Sequence, residues 1–441
     1  MHRQPLHAPD QQNSIGIWLT SAIVVGTMIG SGIFMLPVSL APLGANAIVG
    51  WIVSSTGAMC IAFALARLSR LGGEGIQANV ERQLGPSAGF VVAWAFWVSS
   101  WSAQAAVAIA GASALSFVSP AMSGDAFVMI VAIASVLFFT SLNALGVRVS
   151  GITSIITIAI RLLPLAGVML VLALRAVGPE HLEPLAQSRT TVGNLAAATA
   201  LTFFALTGFE NATTPVGKVR NPSRTIPRAI IGGTLFVAVV YLFSSTAVQL
   251  LLPAQIVARS PAPFADVIGG QWGGTAASLM AICIAVAAFG CLNSMILATG
   301  ELGYAMGLRS DLPTAMAWTV RGNTPVAAQI AGSALSIFLI LANSSRGGAS
   351  LFKFVILLST SAALVLYLAG ALAAWRLVAS RRAKSVLTAA LLFIIFAFYG
   401  SGFDADAWCI VLLAIGLAMR AILHRVNSAR GARSALLAPS E

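Results

Sequence analysis

Charge is what this sequence has least of. Only 9% of its 441 residues are Asp, Glu, Lys or Arg, against about a quarter in soluble domains. Apolar residues make up 58% of the chain and its mean hydropathy is +0.91. A water-facing surface cannot be built from that composition, and apolar runs of about 20 residues recur along the chain, which places it in a lipid bilayer. Histidine is scarce as well. His2, His7, His181 and His424 fall in tails or a loop, and none stands near a nucleophile or an acid–base partner. A polytopic membrane enzyme needs such a cluster at the membrane face, so catalysis has almost no raw material here. Cys60, Cys283, Cys291 and Cys409 lie in apolar stretches without CxxC spacing, so they read as packing residues rather than disulfide partners or metal ligands. No metal and no cofactor is expected. A cleavable leader is not expected either, because the first 14 residues are polar and the first apolar run leads directly into further spans.

What the chain does have is a regular series of apolar windows. Spans are expected near 15–42, 45–66, 88–118, 126–145, 152–174, 194–217, 229–251, 274–306, 326–343, 350–375, 385–400 and 405–424. An even number puts both termini on one side. The connections and tails on that side hold 19 of the 25 basic residues, while the opposite side holds only Arg175, Arg189, Arg259, Arg346 and Lys353. The excess of basic residues therefore reads as topology and not as a nucleic-acid patch, and both termini are expected in the cytoplasm. No nucleic acid is expected as a partner.

Two charged residues remain inside spans, Arg161 in the fifth and Glu210 in the sixth. A central charge costs roughly 2.5–3.5 kcal/mol on insertion scales, so each must face a partner, a cavity or water. They could be structural, paired with each other or with backbone carbonyls, or they could act in function.

The first span is interrupted by Gly26-Thr27-Met28-Ile29-Gly30-Ser31-Gly32 and then Pro37. Each glycine costs a helix about 1 kcal/mol relative to alanine, and a broken helix is tolerated in lipid only where its backbone lines a protein cavity. Such a break presents free N–H groups to an anion such as a carboxylate. The alternative is a close-packing glycine face, which the GSG spacing fits poorly. A second break is expected at Phe203-Phe204-Ala205-Leu206-Thr207-Gly208-Phe209-Glu210 in the sixth span. Spans one and six hold corresponding places in two five-span halves and cross in opposite directions. Matched interruptions in inverted halves point to the binding site of a secondary transporter.

The GxxxGSGIFxLP stretch at 26–37, followed by TGFE and the basic KVRNPSRTIPRA stretch over 207–229, resembles the amino acid-polyamine-organocation (APC) transporters, and within them the basic amino acid/polyamine antiporters. The likeness covers essentially all twelve spans. It implies an all-α polytopic membrane protein with a LeuT-like 5+5 inverted repeat, discontinuous helices 1 and 6, and helices 11 and 12 outside the core. The domains expected are a cytoplasmic tail at 1–14, a ten-helix transport core at 15–375, helices 11–12 at 376–424 and a cytoplasmic tail at 425–441. The resemblance implies a permease or antiporter of the cell inner membrane that moves an amino acid or amine by alternating access.

Residue by residue, the resemblance implies that Ser31 and Gly32 hold the substrate carboxylate, with the Met28 and Ile29 carbonyls near the amino group. Phe204 takes the place of a gating tryptophan that stacks over the substrate, Thr207 and Gly208 supply backbone carbonyls, and Glu210 matches a family glutamate. In span three Ser99, Ser100 and Gln104 face the side-chain end, Gln104 replacing an asparagine. A tryptophan of span eight falls at Met295 and a pH-linked tyrosine of span three at Phe96. With two tryptophan faces gone, the pocket is more apolar than an arginine site, which favours cation–π faces. An amino acid is thus preferred to arginine in particular. Arg161 would stand as a fixed positive charge where sodium-coupled members bind an ion. If protons are coupled, Glu210 is the better carrier, because a guanidinium does not readily shuttle a proton. An amino-acid sensor on the same fold is a further alternative, although both tails are short for a signalling module. Exchange or proton symport, and a homodimer through the last two spans, stay open.

Overall fold

A chain with long apolar runs can satisfy its backbone in lipid only as helices or a closed barrel, and the computed structural model is built almost wholly of helices. It describes residues 16–436 except Ser31, 72–74, Pro120, Met122, 146–150, 178–181, 211–218, Arg220 and 321–323. The side chains of 151–158, 222–223 and 427–436 are likewise outside the described residues.

The first span is divided into α1 (Ile17–Met28) and α2 (Gly32–Leu40), bent by 48° at the break. Then follow α3 (Ala45–Leu68), a short amphipathic α4 (Gly75–Leu84), α5 (Pro86–Ser116), α6 (Asp125–Ala144), α7 (Gly151–Val177) and α8 (Val192–Leu206). The second half comprises α9 (Pro222–Leu251), the short α10 (Ala254–Val257) and α11 (Pro263–Trp272), α12 (Gly274–Leu308), α13 (Val326–Ala342), α14 (Gly348–Leu377), α15 (Arg381–Ser401) and α16 (Phe403–Leu436). Among the described residues nine helices are long and apolar enough to cross a membrane, the bent α1–α2 pair makes a tenth, and the shorter apolar α8 and α13 complete the expected twelve.

The sixth span leaves the helix at Leu206, within the break expected there, because Thr207 is extended (ψ 159°) and Gly208 is left-handed (φ 113°), and its expected end at 217 lies outside the described residues. One boundary differs from the hydropathy reading. The last helix continues past 424 to Leu436, through a stretch rich in alanine and arginine, both good helix formers.

Local signals set several helix starts. Pro86 occupies the first turn of α5, where its missing N–H costs nothing. The Thr191 hydroxyl accepts the Asn194 N–H (3.1 Å) to cap α8. Small residues then bring helices close, as expected where lipid supplies no hydrophobic drive between them. A Cβ on Gly50 of α3 would lie 2.7 Å from Ala198 of α8, and one on Gly233 of α9 would lie 2.8 Å from Val24 of α1. Helix α5 runs through the middle, packed against α12 and α14, while α3 packs on α8 and α9.

Closure differs between the two halves of the first span. Nearly all of α2 is buried, and its Phe34 meets Phe264 of α11 edge-on, with ring centroids 5.5 Å apart. In α1, by contrast, Ile17, Trp18, Leu19 and Thr27 are exposed. Helix α16 is fastened at three levels. Ser361 donates to Asp406 (2.7 Å), Trp94 Nε1 donates to the Leu412 carbonyl (2.9 Å), and Arg420 pairs with Asp311 (3.1 Å) while lying over the Phe90 ring. Burial pushes the Asp311 carboxyl above its ordinary range, and the neighbouring Arg420 and Arg309 pull it back.

Candidate functional site

The two breaks meet. Gly208 approaches α1 so closely that a Cβ would lie 2.8 Å from the Thr27 carbonyl oxygen, and its φ of 113° is one that side chains other than glycine's rarely accept. The Thr27 hydroxyl donates back to the Gly208 carbonyl at 3.1 Å. Across the same junction Phe204, 7% exposed, lies over Gly32: a Cβ there would stand 2.6 Å from Phe204 Cε1. Gly32, Phe204, Thr207 and Gly208, four of the residues expected from sequence, are thus brought together where the helices part. Ser31 lies outside the described residues.

The break has a polarity. A helix leaves its last carbonyls and first amides without internal partners. The carbonyl end of α1 is taken up by the protein itself. Arg161 Nη1 donates to the carbonyls of Gly26 (3.0 Å) and Ile29 (3.1 Å), and the Tyr241 hydroxyl donates to that of Met28 (3.0 Å). A cation at a helix C-terminus is also favoured by the macrodipole. The Met28 and Ile29 carbonyls, expected beside a substrate amino group, therefore already accept hydrogen bonds from Tyr241 and Arg161. The amide end, at the start of α2, faces the opposite way in charge and suits an anion.

Arg161 is only 5% exposed, and its role toward backbone carbonyls is one of the two arrangements left open by sequence. It does not pair with Glu210. The Glu210 carboxylate accepts the Gly208 N–H (2.9 Å) and the Tyr367 hydroxyl (2.7 Å), while the Tyr367 ring stacks on Phe209 at 5.3 Å. Glu210 therefore holds the span-six turn from below and ties it to α14. Thr207 stays local, its N–H and hydroxyl both donating to the Phe204 carbonyl.

Ser99, Ser100, Gln104 and Met295 form a second group. Ser99 pairs with Ser359 of α14 (3.1 Å), and Ser100 donates to the Phe96 carbonyl of its own helix (2.7 Å). Gln104 donates to the Met295 carbonyl (3.2 Å) and the Thr299 hydroxyl (2.6 Å), and its oxygen accepts from Ser336 (3.1 Å). The amide thus links α5, α12 and α13 and is 1% exposed. Phe96 and Met295 are each partly buried.

Tyr241 and Tyr367 were not singled out from sequence. A signal was available, since the chain has only four tyrosines and a phenolic hydroxyl deep in an apolar helix must find a partner. Thr27 was passed over as part of the glycine run.

Comparison with known proteins shows the family to which such a fold belongs. The family described as amino acid permease matches residues 15–420. The chain is similar to the cadaverine/lysine antiporter of Escherichia coli (strain K12), 31% identical over 356 residues that cover 76% of this chain and 77% of the relative. It is also similar to the putrescine transporter PotE of that organism, 31% identical over 274 residues, 58% of each chain. A third relative is the serine/threonine exchanger SteT of Bacillus subtilis (strain 168), 27% identical over 327 residues, 70% of this chain and 72% of the relative.

Proposed function

The chain belongs to the amino acid permease family of the APC superfamily and is a secondary transporter, and from that premise we propose that it carries an α-amino acid across the cytoplasmic membrane by exchange. The observation that carries the reading is the facing pair of breaks, with the Phe204 ring over Gly32 and the carbonyl end of α1 already engaged by Arg161 and Tyr241. The substrate carboxylate lies at the amide end of α2 with Ser31 and Gly32, the ammonium at the backbone carbonyls of the Thr207–Gly208 turn, and the side chain extends toward Met295. Phe204 is the gate. Transport, and not catalysis, is the work of this core, residues 15–375, with 376–424 outside it and tails 1–14 and 425–441 in the cytoplasm. On that orientation α2 and α11 form the outer side, and their Phe34–Phe264 contact closes it.

Glu210 couples the gate to the scaffold. Its hydrogen bonds to the Gly208 N–H and the Tyr367 hydroxyl span from the break to α14, so a change in its protonation alters both at once. Proton coupling through Glu210 is the second reading, favoured by the burial of this carboxyl beside the gate.

Two measurements in proteoliposomes test the function. Efflux of a preloaded labelled amino acid is expected to accelerate when unlabelled substrate is added outside. Failure of the purified protein to move any of the twenty amino acids would overturn the reading. Glu210→Gln is expected to slow exchange and flatten its pH profile, and an unchanged rate and profile would remove Glu210 from the mechanism.

A further inference from the structure

We propose that Arg161 makes this site a charge filter, so that substrates must carry a carboxylate and diamines are turned away. The inference rests on the reading of the break as the substrate site and goes beyond it by naming the class admitted: amino acids with uncharged side chains.

Three observations converge. The first is an uncompensated positive charge. Arg161 is 5% exposed, a guanidinium keeps its proton in proteins, and among the described residues no carboxylate pairs with it. Its Nε has no hydrogen-bond partner among the described residues. Carbonyl dipoles orient this charge without cancelling it, and its field extends into the break that it touches. The second is the loss of acceptors. The carbonyls that an organic cation would use at α1 are engaged by Arg161 and Tyr241, so the turn of span six can take one ammonium while the first break offers only the amide end of α2, a feature suited to an anion. The third concerns Ser99, Ser100, Gln104 and Met295, the group toward which the substrate side chain extends in the proposed function and where the second ammonium of a diamine would need an acceptor. There the Gln104 oxygen already accepts from Ser336, Ser99 is paired with Ser359, and Ser100 is turned onto its own helix. Met295 offers only a thioether.

An amino acid with a neutral side chain answers all three conditions, since its carboxylate complements Arg161 and its net charge is zero. A diamine supplies two positive charges and no anion. For unit charges on the order of 8 Å apart at an effective dielectric of about 20, repulsion discriminates about thirtyfold. Lysine, with one surplus charge and a carboxylate, falls between the two.

The test is competition on the full-length purified protein. Labelled serine, leucine and putrescine are each bound by scintillation proximity, and each is displaced by neutral amino acids, lysine, putrescine, cadaverine and leucinol. Neutral amino acids are expected to bind at least about thirtyfold more tightly than either diamine, and leucinol, which lacks the carboxylate, to compete as poorly as they do. Arg161→Gln is expected to narrow the gap between leucine and putrescine, while Arg161→Lys, which keeps the charge, preserves it. Comparable competition by leucine and putrescine in the wild-type protein overturns the filter while leaving amino-acid transport intact. Binding of putrescine without competition by any amino acid overturns the transport reading as well. A folded Arg161→Gln protein with an unchanged ratio also overturns the proposal. If that variant does not fold, the wild-type ratios and the lysine variant decide.

Discussion

The closest approach in the site, between Gly32 and the Phe204 ring, yields a prediction with a definite size. A Cβ at position 32 would lie 2.6 Å from Phe204 Cε1, whereas carbon atoms rest about 3.5–4.0 Å apart. The ring in Gly32→Ala must therefore retreat by about 1 Å, out of its place over the start of α2. Phe204 is buried and so has no free direction of escape. Overpacking of this kind costs about 1–3 kcal/mol; where binding presses the ring back over position 32, that cost falls on the bound state and weakens the dissociation constant about 5- to 150-fold. The cause is steric, so a smaller residue at 204 should relieve it. Phe204→Leu alone is expected to weaken binding by removing the stacking face, but Gly32→Ala/Phe204→Leu should bind about as well as Phe204→Leu by itself. The assay is equilibrium binding of labelled substrate to detergent-purified protein across this double-mutant cycle, with thermal unfolding measured in parallel. A coupling of at least about 1 kcal/mol is expected, beyond the ~0.3–0.5 kcal/mol scatter of independent sites. Additive effects, or wild-type affinity in Gly32→Ala, would refute the placement of the ring over the break.

Two further outcomes test neighbouring contacts. Gly208→Ala places a methyl group 2.8 Å from the Thr27 carbonyl at a φ of 113°; exchange in proteoliposomes is expected to fall at least about tenfold, from ~1–3 kcal/mol of backbone strain, and near-normal exchange would show that the two breaks do not touch in the working protein. Gly400→Ala drives a methyl into the Ala196 carbonyl where α15 crosses α8, so a thermal-shift scan should register a loss of about 1–3 kcal/mol in stability, with the relative affinities for competing amino acids unchanged; a change in those ratios would move α15 into the binding machinery.

The breaks were legible in the sequence because glycine, serine and threonine are conspicuous at the middle of an apolar run, and the lipid leaves such a run few purposes. Phe204 was legible only through the family resemblance, which sets it in the place of a gating aromatic ahead of the Thr207-Gly208 turn. The partners of the break were harder to see. Arg161 was visible as a charge, but whether it would meet Glu210 or backbone carbonyls depends on how α7 crosses α1, and no local pattern records a crossing. Tyr241 and Tyr367 sit in long apolar helices, where a single hydroxyl barely alters hydropathy. Gln104 shows the opposite difficulty. The family resemblance implies for it a place facing the substrate side chain, and its donors and its oxygen meet α12 and α13.

The contact between Thr27 and Gly208 has a consequence for leakage. With a hydroxyl-to-carbonyl bond and a backbone approach that leaves no room for a methyl group, α1 and the turn of the sixth span are braced against each other. Neither can lift alone without breaking that brace. An aqueous thread through the membrane would require one of them to open while the other stayed shut, and the brace makes such half-open arrangements costly. A threonine hydroxyl and a missing side chain thus hold α1 and the span-six turn together, and the two move as a pair.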